Sequence, residues 1–138
     1  MIIYYTDGSC SPNPGPGGFS VIKNGKPHIL GQEADSTNIR MEGGAFIAAL
    51  KDADGQPCEI HSDSEFWIKV ITEWSLAWEK NGWKKKGGEI KNIDLVKEVC
   101  ELYRKSQAKL IWVRAHNNDE FNEMADEWAN KARAGHTI

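Results

Sequence analysis

Asn24-Gly25, set between the alternating run Phe19-Ser20-Val21-Ile22-Lys23 and a second extended run at about residues 27–34, constrains this chain more than any other feature. A two-residue hairpin needs positive φ at its central positions, and Asn-Gly supplies it at little steric cost. The two runs are therefore expected to pair antiparallel. A further extended segment precedes them. Residues Ile2-Ile3-Tyr4-Tyr5-Thr6 form an apolar, aromatic run that reads as a buried strand stopping at Asp7-Gly8-Ser9. Asn13-Pro14-Gly15-Pro16-Gly17-Gly18 reads as the turn that follows. The chain thus opens as a three-stranded antiparallel meander.

Helices and strands then alternate. Residues 40–53 read as a helix with Met41, Ala45, Ala48 and Ala49 on its apolar face, although Gly43-Gly44 lower its helicity by about 1 kcal/mol each relative to Ala. Packing must supply that difference, or the backbone there approaches something closely. Cys58-Glu59-Ile60-His61-Ser62 is a short strand, and a helical pattern follows from Ser64 to about Lys80. A helix is expected over roughly 92–106, a strand at Lys109-Leu110-Ile111-Trp112-Val113 and a final helix at about 119–134 with Phe121, Met124, Ala125, Trp128 and Ala132 as its apolar face. This order predicts an α/β fold. Its five-stranded mixed sheet has three antiparallel strands and then two parallel ones, with helices on both faces. No repeat or linker divides residues 1–138, which read as one domain with a flexible tail at 134–138.

A formal net charge of −3 argues against a protein that coats nucleic acid indiscriminately, but leaves room for a local basic patch. No apolar run approaches the 18 residues of a membrane span, and the start lacks the basic region of a signal peptide. Cys10, Cys58 and Cys100 show no metal-binding spacing and an odd count, which predicts a reduced, cytoplasmic protein without membrane partners.

Four acidic residues carry the chemistry. Asp7, Glu42, Asp63 and Asp126 lie far apart in sequence, each near the end of an element. In an open α/β sheet the carboxyl ends of strands collect ligand sites, and this topology can gather all four there. Taken singly, Asp63 reads as a helix cap within Ser62-Asp63-Ser64, and Glu42 as a dipole partner in the first turn of its helix. Gathered, they could not all stay ionised, since two charges roughly 5 Å apart repel by about 3 kcal/mol at an effective dielectric near 20. Such a cluster implies hard divalent cations bound through oxygen, a centre suited to phosphoryl chemistry.

The ordered segments Thr6-Asp7-Gly8-Ser9-Cys10, Asn13 to Gly18, Thr37-Asn38-Ile39-Arg40-Met41-Glu42, Ser62-Asp63-Ser64, Asn92-Ile93-Asp94-Leu95, Trp112-Val113-Arg114-Ala115-His116 and Asn122-Glu123-Met124-Ala125-Asp126 resemble those of type 1 ribonuclease H, from about residue 3 to residue 133. The resemblance implies an endonuclease that cuts the RNA strand of RNA/DNA hybrids with Mg2+, or Mn2+ in its place. Asp7, Glu42, Asp63 and Asp126 would be metal ligands, and His116 a mobile aid to proton handling or product release. A metal-activated water would leave 5′-phosphate and 3′-hydroxyl ends. The 2′-hydroxyl distinguishes RNA from DNA at a site. The resemblance puts contacts to it at Cys10, Asn13, Asn38, Glu42 and Glu65, with Gly8 and Ser9 in the adjoining backbone. Thr37 and Arg40 would form a DNA-phosphate pocket.

Trp74, Trp78 and Trp83 surround Lys80, Lys84, Lys85, Lys86 and Lys91, with Glu89 the one acid of residues 80–91. Lysines neutralise phosphates and rings pack on sugars or bases. The segment, about residues 78–94, resembles the family's basic protrusion, which holds the DNA strand; the tryptophans serve packing, binding or both. Glu65 departs from the pattern, standing where an amide is usual, since a carboxylate cannot donate to a 2′-hydroxyl. Ile39 replaces a polar residue and Gly43-Gly44 replace bulkier helix formers. The expectation is a monomeric enzyme. A hybrid-binding module or reverse-transcriptase domain, and a transposase or integrase core, are the alternatives.

Overall fold

Asn24 and Gly25 adopt φ values of 49° and 83°, the left-handed pair that the hairpin requires. They join β2 (Gly15–Lys23) to β3 (Lys26–Ser36), and β2 also pairs antiparallel with β1 (Ile2–Cys10). The computed structural model describes residues 1–84, 88, 90–114 and 119–138.

The meander is longer than expected. β1 does not stop at Asp7 but continues to Cys10, with Asp7 opposite Ser20 and Cys10 opposite Gly17. Gly15 to Gly18 accordingly belong to β2, and only residues 11–14 turn. Backbone pairing holds this stretch where side-chain propensity is poor, because the ladder satisfies the N–H and C=O groups that a loop would expose. β4 (Pro57–Ser62) lies parallel to β1 and β5 (Gln107–Trp112) parallel to β4, giving the order β3-β2-β1-β4-β5.

Helix α1 (Asn38–Ala53) starts two residues before the expected position, because the Thr37 side chain caps it by accepting from the Arg40 N–H at 3.2 Å. Glu42 therefore sits in the second turn, not the first. The continuous helix expected from Ser64 to Lys80 is three pieces: α2 (Glu65–Lys69), a π-helical turn (Val70–Trp74) and α3 (Ser75–Lys80). Thr72 and Ser75 donate their hydroxyls to the carbonyls of Ile68 and Ile71, at 2.7 and 3.1 Å, within the widened ladder. Helices α4 (Ile93–Arg104) and α5 (Glu120–Arg133) follow, the latter capped by Asp119.

Two glycines set the layers. A Cβ on Gly8 would strike the backbone of Met41 and Glu42, so α1 lies against β1 with no side chain between them. A Cβ on Gly18 would strike the α5 backbone at Ala129, Ala132 and Arg133. Gly8 pairs with Phe19 and Ser9 with Gly18, so the two glycines face opposite sides of the sheet. Helices α1 and α5 thus cover opposite faces. The core fills the α1 side, where Tyr4, Val21, Phe46, Ile60, Trp67, Val70, Val96 and Val99 are buried. Gly43 answers the question its helix raised. Its missing side chain admits Trp67 and Leu95, whose atoms would lie 2.6 and 2.7 Å from a Cβ.

At the far end of the sheet Asp52 accepts from the Tyr4 hydroxyl at 2.6 Å and pairs with Lys23 at 2.9 Å and His28 at 2.8 Å. Burial alone would raise its pKa; the hydrogen bonds from Tyr4, Lys23 and His28 outweigh this and lower it to about 2. This stabilisation is present above the ordinary carboxylate pKa and is lost as pH falls through about 2. Lys23 and His28 are partly exposed, which screens the pairs. Asp52→Asn is expected to cost about 1 kcal/mol in urea denaturation at pH 7, with the gap from wild type closing on acidification.

Candidate metal centre and active site

The strand ends build the site. β1 and β4 pair from Ile2/Cys58 to Thr6/Ser62, so Asp7 and Asp63 occupy the next positions on adjacent parallel strands. β4 ends there while β1 runs on against β2, leaving β1 unpaired on the β4 side from Asp7 onward. Glu42 is delivered to the same place by the close approach of α1 to Gly8. One carboxylate oxygen from each of Asp7, Glu42 and Asp63 lies within 4.8 Å of the other two. Asp126, on α5, stands outside this close set, but its charge acts on Asp7.

The electrostatics are those of a site without its counter-charge. Asp7 is 6% exposed, and neither it nor Glu42 forms an ion pair with a basic side chain among the described residues. Burial, then the Asp63 charge, pushes the Asp7 carboxyl far above the usual range; the Gly8 N–H, donating at 2.9 Å, opposes this, and Asp126 and Glu42 add to it. Burial also raises Glu42 to about 7, against a hydrogen bond from the Ser64 hydroxyl and with the help of the Asp63 charge. An all-oxygen carboxyl donor set with no basic partner for Asp7 or Glu42 among the described residues fits a hard divalent ion.

The turn beside the carboxylates is tied down. The Cys10 sulfur is buried 3.2–3.3 Å from the carbonyls of Pro12, Gly15 and Ser36, and the Asn13 side chain accepts from the Asn38 N–H at 3.2 Å. Cys10, Asn13, Thr37 and Asn38 are thereby gathered at the start of α1. Arg40 is engaged already: its guanidinium makes two hydrogen bonds to Asp94, at 3.2 and 3.0 Å, and one to Asn92 at 3.2 Å. Glu65 is exposed and pairs with Lys69 at 3.0 Å.

Trp74 and Trp78 line a cavity of about 210 Å³ with Ile39, Phe66, Ile90, Lys91, Asn92 and Val96. Trp74 is 42% exposed, whereas Trp78 and Trp83 pack against the core. Lys97 lies 5.5 Å from the centre of the Trp83 ring, and Lys84 is exposed. His116, Lys85 and Lys86 lie outside the described residues.

Sequence reasoning missed several members of the site. Ser64 caps α2 by accepting from the Trp67 N–H at 3.3 Å and also bonds Glu42; its place one residue before a helix was the available signal. Asn122, one turn before Asp126 on α5, is buried with its side-chain oxygen unpartnered among the described residues. Asn130 and Arg133 form a hydrogen-bonded group with the side chain of Ser9, a pairing that no local pattern announces.

The RNase H family model matches residues 1–134. Ribonuclease HI of Xylella fastidiosa (strain Temecula1 / ATCC 700964) is 43% identical over 132 residues, 91% of this chain and 87% of that protein. Ribonuclease H of Syntrophomonas wolfei is 44% identical over 138 residues, 95% and 94% of the two chains. The crystal structure of LC9-RNase H1, a type 1 RNase H with the type 2 active-site motif, superposes with a TM-score of 0.85 at 27% identity, covering 99% of this chain and 73% of that one. With a five-stranded mixed sheet of that architecture and an acidic cluster compatible with metal at its strand ends, this chain belongs to the ribonuclease H family, a family of nucleases.

Proposed function

We propose that the chain is an endonuclease that hydrolyses the RNA strand of RNA/DNA hybrids and leaves 5′-phosphate and 3′-hydroxyl ends. The observation that carries this reading is the convergence of Asp7, Glu42 and Asp63 with no basic partner for Asp7 or Glu42 among the described residues. Asp7, Glu42, Asp63 and Asp126 would hold two divalent cations, Mg2+ with Mn2+ able to substitute. When bound, such ions supply an activated water and charge stabilisation at the phosphate. The protein's own part is positional. Ser64 orients Glu42, the Gly8 N–H orients Asp7, and the Asp7 and Glu42 carboxyls release their protons to the solvent as cations enter.

His116 would handle protons or product release. Gly8, Ser9, Cys10, Asn13 and Asn38 form the floor on which the 2′-hydroxyls rest. Glu65, held by Lys69, accepts from a 2′-hydroxyl where an amide would also donate. Thr37, with Arg40 shared between Asp94 and phosphate, meets the DNA strand, as do Trp74, Trp78, Trp83 and the lysines of the arm. The enzyme acts as a monomer in the cytoplasm on this reading. Among the described residues no helix is long and apolar enough to cross a membrane.

The test is a four-substrate assay with Mg2+ or Mn2+: labelled RNA/DNA hybrid, single-stranded RNA, duplex RNA and duplex DNA. Cleavage confined to the RNA strand of the hybrid is expected, with 5′-phosphate ends on the products. Tight hybrid binding without cleavage would make the chain a binding module, and cutting of duplex DNA would place it with transposase cores.

A further inference from the structure

Helix α5 runs alongside β1 in the same direction. Its start meets Tyr5, whose ring centre is 5.5 Å from that of Phe121, and its last turns meet Ser9. Asp126 lies between these contacts, as Asp7 lies between Tyr5 and Ser9. Beyond the carboxylates the Ser9 hydroxyl donates to the Asn130 side-chain oxygen at 2.6 Å. Arg133 closes the group, with Nε donating to Ser9 Oγ at 3.1 Å and Nη2 to Asn130 Oδ1 at 3.4 Å.

Both partners of this arginine are neutral. None of the ion pairs among the described residues involves it. The other basic residue of the same turn, Lys131, behaves differently: it pairs with Glu127 at 3.0 Å and lies 4.4 Å from the centre of the Trp128 ring. A cation near a helix C-terminus ordinarily serves the helix dipole. The Arg133 guanidinium instead reaches across to the end of β1. It is oriented through two N–H groups, so both hydrogens on Nη1 and one on Nη2 have no acceptor among the described residues. A half-buried, aimed and uncompensated guanidinium suits a phosphate oxygen.

We propose that Arg133, aimed by Ser9 and Asn130, binds a backbone phosphate of the cleaved RNA strand close to the scissile one. The proposal rests on the reading that the strand passing Asp7 is RNA in a hybrid. Asp126 and Arg133 are seven residues apart, roughly 10 Å along the helix. At roughly 3.4 Å of axis per nucleotide, the contacted phosphate lies within about three nucleotides of the cut. Arg133 thus holds the strand in register on the α5 side of the carboxylates, opposite the α1 side where Thr37 and Asn13 lie.

The experiment measures binding of labelled hybrid by fluorescence anisotropy, with EDTA to block turnover, from 50 to 200 mM KCl. Wild type, Arg133→Gln and Arg133→Lys are compared. Arg133→Gln is expected to bind about 5- to 10-fold more weakly at 50 mM, with its log–log salt slope shallower by about 0.9, the loss of one phosphate contact. Arg133→Lys should keep the slope, and thermal midpoints should stay close to wild type. Neutral methylphosphonates placed singly along the RNA strand then locate the contact: one position should weaken wild type and leave Arg133→Gln unaffected. A slope unchanged in Arg133→Gln, or a loss of affinity that no methylphosphonate position reproduces, overturns the proposal. If the wild type itself neither binds nor cleaves hybrid, the hybrid-cleaving reading fails first. If the wild type does both and Arg133→Gln matches it, Arg133 alone has been misassigned.

Discussion

Asp7→Asn is expected to reduce turnover by about a hundred- to a thousandfold while making the metal-free protein more stable. The loss follows from removing a central oxygen ligand, since active-site charge of this kind is worth about 3–4 kcal/mol or more in the transition state. The gain follows from burial. Asp7 is 6% exposed, and its carboxyl, buried and facing Asp63, titrates near 9 without a cation. The unfolded chain ionises this group near its ordinary pKa of 3.8. Below about pH 4 both states hold the proton and the group costs nothing. As pH rises through the window between about 4 and 9, only the unfolded state releases the proton, so the folded state is progressively penalised. Asparagine has no such term. At pH 8 in EDTA, Asp7→Asn should gain about 1–3 kcal/mol, the usual cost of an ill-satisfied buried polar group. That corresponds to a thermal midpoint raised by roughly 4–10 °C. The advantage should shrink towards pH 5 and when Mn2+ is added, because cation binding restores the wild type's missing partner. Calorimetry at three pH values decides it; a variant less stable than wild type at pH 8 would count against the electrostatic account.

Gly8→Ala is expected to do the reverse, damaging the fold and the site together. The added methyl would land within 2.7 Å of the Met41 carbonyl carbon and 2.9 Å of its Cβ, and still closer to the Glu42 nitrogen. The obstacle is mostly helix backbone, which cannot rotate aside as a long side chain can. Helix α1 must move off β1, and Glu42 moves with it. Overpacking of this kind costs about 2–3 kcal/mol, or roughly a 10 °C fall in thermal midpoint. Turnover should fall at least tenfold at a temperature where the variant is fully folded. Gly55→Ala is the contrasting case: nothing lies within 4 Å of its added Cβ, and the cost comes only from its φ of 80°. It should lose stability without losing turnover per folded molecule. Denaturation and single-turnover rates on the two variants separate the effects.

The parts of this molecule that are local were visible in the chain. Asn24-Gly25 announced a hairpin whose φ values the structure bears out, and the succession of extended and helical segments predicted the five-stranded mixed sheet. The parts that depend on a partner element were not. β1 looked finished at Asp7 because Gly8 and Ser9 are poor strand residues, yet pairing with β2 carries it to Cys10. The same glycine that weakened the sequence signal admits α1, and so sets Glu42 beside Asp7 and Asp63. The helix after Ser64 looked uniform because its apolar spacing is helical throughout, while the π-helical turn lies where hydroxyls at Thr72 and Ser75 bond back to carbonyls. Arg133 was invisible as a site residue because it is defined by contacts with a distant strand, whereas the helix-start position of Ser64 was legible but its bond to Glu42 was not.

Calorimetric titration of Mn2+ into the protein, run in two buffers of different ionisation enthalpy, tests the central claim most directly. Binding to wild type should release protons, more of them near pH 7 than at pH 9, where Glu42, which titrates near 7, is already ionised. The binding should be lost in Asp7→Asn. Failure of wild type to bind the cation, with or without hybrid present, or equal binding by Asp7→Asn, would contradict the assignment of these strand-end carboxylates as the metal centre.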